Sequence, residues 1–77
     1  MATETATRPA HGTRLLVTFA GGEGYDAEVA VGRVTETYPD GIDITCDAKT
    51  LSHDPGDVFT VFDTEQAAGR VTLEVLT

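Results

Sequence analysis

The sequence predicts an all-β domain, a small five-stranded antiparallel barrel, on three observations. Five short segments alternate apolar and polar residues with the period of two that puts successive side chains on opposite sheet faces. Between the second and third of them lies Tyr38-Pro39-Asp40-Gly41, with proline where its fixed φ suits a turn and a glycine closing the hairpin. The segment before that turn, residues 27–38, is about twice the usual strand length and therefore has to bend.

Each element follows from its own pattern. In residues 14–20, Leu15, Val17 and Phe19 share one face and Leu16, Thr18 and Ala20 the other. Leu16 makes the outer face partly apolar, which predicts a covering strand or subunit. Residues 21–26, GGEGYD, read as a flexible hairpin loop with Tyr25 either folding back on the barrel or offering an exposed contact, because the Walker and dinucleotide patterns are both absent and Glu23 and Asp26 repel phosphate. In the long second segment Val29 and Val31 share one parity and Val34 and Tyr38 the other, so a bulge is expected at Gly32–Arg33, with Val29 and Val31 inward. Gly41 is expected to be left-handed. Ile42, Ile44 and Cys46 then alternate inward against Asp43, Thr45 and Asp47.

Residues 48–56 form the longest connection, with room for one helical or 3₁₀ turn, and Leu51 is expected to plug the barrel end. Residues 58–63, VFTVFD, are apolar on both faces, so either Phe59 with Val61 or Val58 with Phe62 is left outside. A hairpin with Gly69 left-handed, or less favourably a helical turn over 65–68, leads to the last segment. There Val71, Leu73 and Val75 face inward and Leu76 outward. Residues 1–12 lack periodicity and read as a flexible N-terminal arm, leaving residues 13–77 as the barrel domain.

The stretch GRVTETYPDGIDI, residues 32–44, resembles the central hairpin of SH3-like barrels, including Sm-like and translation-associated ones. The resemblance implies an SH3-like barrel, with an oligonucleotide-binding-type barrel or a small β-sandwich as alternatives. It transfers no function.

Charge narrows the function classes. Thirteen acidic residues stand against five basic ones, for a formal net charge of -8. The basic residues Arg8, Arg14, Arg33, Lys49 and Arg70 are scattered among the acids, so nucleic acid is a disfavoured partner. Carboxylates in excess with a single lysine resemble the proteins of salt-in halophilic archaea, whose dense carboxylates keep them hydrated. No secretory or membrane-spanning pattern is read, which predicts a cytoplasmic protein or, alternatively, a virion component.

No catalytic, cofactor-binding or metal-ligating residue is assigned. Ser52-His53-Asp54 with Asp57 has suitable residue types for a triad or a metal, but neighbours in one loop diverge and triad members come from separate elements. Cys46 alternates into the core, where a cysteine behaves as a small hydrophobe. The expected function is a non-enzymatic protein–protein interaction or structural module that self-associates or docks on a protein partner, by strand-edge pairing or through an apolar patch. The alternatives are a capsid or decoration protein and a nucleic-acid-binding barrel. The residues expected to carry the contact are Leu16, Tyr25, Val58, Phe59 and Leu76.

Overall fold

A computed structural model describes residues 9–76. The elements are β1 (Arg14–Phe19), β2 (Glu28–Tyr38), β3 (Gly41–Cys46), β4 (Val58–Phe62), α1 (Asp63–Ala67) and β5 (Val71–Val75). They build one five-stranded sheet in the order β4-β3-β2-β1-β5, antiparallel throughout. The all-β class and the five strands match the sequence reading. The barrel does not: β4 and β5 are edge strands that do not pair with each other, and the sheet stays open.

The open sheet is nevertheless strongly curled. Three strand spacings of about 4.8 Å would hold β1 and β4 about 14 Å apart in a flat sheet. The rings of Phe19 on β1 and Phe59 on β4 instead meet edge to face with centroids 5.3 Å apart. The concave side of this curl is the core: Leu15, Val17, Ala30, Val34, Ile42, Ile44, Cys46, Val61 and Val71 are buried there, with Phe19, Phe59 and Leu73 packed against them. Bringing such side chains out of water contributes about 1.5–3 kcal/mol for each large one.

The bend in β2 lies three residues beyond the expected place, and this corrects the predicted core. The register against β3 slips between Val34 and Glu36, so the extra residue is Thr35. Ahead of this bulge the even-numbered residues Ala30, Gly32 and Val34 face the core, and Val29 and Val31 lie on the convex side with Val29 exposed. Gly32 marks a close approach: a Cβ there would stand 2.3 Å from the carbonyl oxygen of Thr45. Gly41 is likewise held by proximity, not by left-handed φ, because a Cβ would come within 2.6 Å of the Val61 carbonyl oxygen. Val75 has core parity but sits at the rim, 55% exposed.

The connections differ in two places from the sequence reading. Between β4 and β5 the chain makes α1, a five-residue helix, where a plain hairpin was the first expectation. Its start is fixed by Glu65, whose Oε1 accepts the Phe62 amide at 3.1 Å, and its end by Gly69 at φ 76. The β3–β4 connection contains no helical turn, and Leu51 is fully exposed instead of plugging the core. Its plug is His53. At the N-terminal side Gly12 donates to the Val34 carbonyl at 2.7 Å, and residues 1–8 of the expected arm lie outside the described residues.

Candidate interaction surface

The convex face is a polar lattice laid over the sheet. Asp47 lies between two guanidinium groups, 3.0 Å from Arg14 Nε and 3.5 Å from Arg33 Nε. Thr35 and Thr45 hydroxyls share a bond of 2.9 Å. Asp43 accepts from the hydroxyls of Thr60 and Tyr38, the latter at 2.7 Å. These two bonds, Thr60's first, hold the Asp43 carboxyl below its ordinary 3.8, and the same contact with Asp43 pushes the Tyr38 phenol above 10.0. The outward-facing carboxylates of Asp43 and Asp47 are therefore both partnered.

This lattice separates the residues expected to form one apolar patch. Leu16 is half-buried on the convex face between Val31 and Glu74, and Leu76 is half-buried beside Arg14, to whose carbonyl its amide donates at 2.9 Å. Val58 is 60% exposed on the far edge of the sheet. Arg14, Arg33 and Thr45 occupy the paired register positions between Leu76 and Val58. Phe59 faces inward against Phe19 and His53. Tyr25 is exposed in a loop closed by the Gly22–Tyr25 bridge, with its ring against Gly22.

The loop residues with catalytic chemistry also part company. His53 turns into the bowl, stacked on Phe19 at 5.7 Å and tilted on Phe59 at 5.3 Å. Its buried Nδ1 has no hydrogen-bond partner among the described residues. Asp54 is exposed and pairs with Lys49 Nζ at 2.6 Å, and Asp57 accepts the Asp54 amide at 2.9 Å. Among the described residues no group of three potential ligands converges on one point. Cys46 is 3% exposed, and burial pushes its thiol above the ordinary value. A shallow groove between residues 26–29 and the loop at Leu51–Ser52 is lined by Asp26, Ala27, Glu28 and Val29.

What the sequence reading left unplaced is which strand forms the edge. Cys46 donates to the Asp57 carbonyl and Asp63 donates to the Asp40 carbonyl, which fixes the odd-numbered residues of this segment as the ones bonded to β3. In an antiparallel ladder the alternate residues then turn their N–H and C=O groups the other way. Val58 and Thr60 direct these groups at the open edge, flanked by the side chains of Val58 and of Phe62, which is 44% exposed. No charged residue and no proline interrupts β4, and those are the usual means of blunting an edge. The signal was present in VFTVF, whose two apolar faces cannot both enter one core.

The geometry defines a curled, open antiparallel β domain with a bare edge strand. Comparison with protein-family models, with curated proteins and with solved structures finds no match.

Proposed function

We propose that this chain is a non-enzymatic interaction or structural module that self-associates. The observation that carries the reading is β4, an edge strand with outward-facing backbone groups at Val58 and Thr60 and exposed apolar side chains at Val58 and Phe62. Strand addition to such an edge satisfies main-chain groups and covers apolar surface in one step. A non-catalytic role is supported by the placement of the reactive residue types: His53 inside the bowl, Cys46 in the core, and Asp54 tied to Lys49. The finer architecture we propose is an SH3-like module with an unclosed seam, supported by the long bulged β2, its tight turn and the short helix before β5.

Nucleic acid is disfavoured by the net charge and by Asp47, which engages two of the five basic residues. The acidic composition supports a working environment of high salt, inside a halophile's cytoplasm or in a particle assembled there. Among the described residues no helix is long and apolar enough to cross a membrane. Light scattering across a concentration series in molar KCl tests the reading. A mass that rises above one chain with concentration is expected; a single-chain mass throughout overturns it.

A further inference from the structure

Resting on that reading of self-association, we infer that the occupant of the β4 edge is the β4 strand of a second copy, paired antiparallel about a two-fold axis at Thr60. The sequence of β4 is self-complementary in this register. Val-Phe-Thr-Val-Phe reversed on itself sets Thr60 opposite Thr60, Val58 opposite Phe62 on the convex face, and Phe59 opposite Val61 on the concave face. The backbone has matching parity: Thr60 exposes its N–H and C=O, so the two copies exchange a pair of bonds at the axis. Val58 N–H reaches the Phe62 carbonyl of the other copy on each side. The Phe62 amide is already held by Glu65, so it takes no part.

β5 is the competing edge, and it fits less well. Of its edge-directed residues Val71, Leu73 and Val75, the first two place their side chains in this chain's own core and only Val75 is exposed, and Glu74 sits charged on its outer face. On β4 the side chains beside the exposed backbone are themselves exposed and uncharged.

The size and charge of the contact set its behaviour. A stable dimer buries about 800 Å² on each partner, and two five-residue edges with Val58 and Phe62 cover less, so the pairing is reversible and concentration-dependent. In the same register Asp57 of one copy falls beside Asp63 of the other, at both ends. These carboxylates oppose association at a Debye length of about 10 Å and are screened when it falls to about 3 Å near molar salt. Salt therefore strengthens this contact, whereas it would weaken one built on ion pairs.

A Thr60→Cys variant tests the axis. Opposed residues at a hydrogen-bonded antiparallel position have Cα atoms about 5.5 Å apart, inside the range of about 4.4–6.8 Å that a disulfide spans. Oxidation in molar KCl is expected to give a covalent dimer with Thr60→Cys and none with a Thr72→Cys/Glu74→Cys variant on the exposed face of β5. Cys46, buried, serves as the internal background. Val58→Lys should abolish the association while the circular-dichroism spectrum and denaturation midpoint stay as in the parent, and Asp57→Asn should allow the dimer at low salt. A two-chain mass that survives Val58→Lys, crosslinks through β5, or weakens with salt overturns the β4 pairing and leaves self-association standing. A single-chain mass under every condition removes both.

Discussion

The two faces of this one sheet are organised on opposite principles. On the concave side Leu15, Val17, Val34 and Ile44 are fully buried and no buried side chain is polar among the described residues, apart from the half-buried His53. On the convex side the same strands carry a lattice of hydroxyls, carboxylates and guanidinium groups, mostly exposed, whose bonds run from strand to strand. The difference teaches where stability resides. A buried methyl group has no substitute for its lost neighbours, whereas an exposed ion pair is replaced by water at little net cost.

The sharpest way to break this comparison is to delete volume from the bowl. Ile44→Ala is expected to destabilise by about 3–4 kcal/mol, read from the urea midpoint, because Ile44 is fully buried on β3, an interior strand of the sheet. Gly32→Val should cost about 2–3 kcal/mol, since any Cβ collides with the β3 backbone that cannot yield as a flexible side chain would. In contrast the atoms nearest a Cβ at Gly22 belong to the exposed Tyr25 side chain, which can move, so Gly22→Ala should be far milder. On the convex face Asp47→Asn is expected to cost less than about 1 kcal/mol, and the loss should shrink as salt is added. Equal losses for Ile44→Ala and Asp47→Asn would mean that the lattice carries the fold.

The smallest effect is a titration. Asp43's folded-state pKa is depressed below 3.8, so its contribution is fully present above the unfolded value and is lost as pH falls through the folded one. Tyr38's is raised above 10.0, so its contribution is present below that value and fades as pH rises beyond it. Asp43→Asn should flatten the acid limb of the stability profile, and Tyr38→Phe the alkaline limb. An acid limb unchanged by Asp43→Asn would show that the Thr60 and Tyr38 bonds add nothing beyond solvation.

Most of the fold was legible because strand alternation and turn chemistry are local. The five strands, the turn at Pro39-Asp40 and the inward set Leu15, Val17, Ile42, Ile44 and Cys46 needed only period-two reading. The bulge was misplaced because Gly32 and Thr35 offer competing signals: glycine suggests a kink, but here its lack of a side chain serves contact with β3 and the extra residue is a threonine. Val29 and Val31 were placed inside for the same reason, since parity is counted from the bulge. Closure and the role of His53 were illegible because both depend on contacts between distant segments. So was the interruption between Leu76 and Val58, which follows from the register of four strands together.

The pairing of β1 with β5 also fixes a timetable. Hairpins such as β2–β3 join residues close in the chain and close their loops quickly, whereas Leu15 must wait for Val75, more than half the chain away. Once the local hairpins have formed, β1 therefore has one satisfied side and one vacant side until β5 docks. Until that pair closes, the chain presents a second bare edge in addition to β4, and an unpaired strand edge is a template for pairing with another chain.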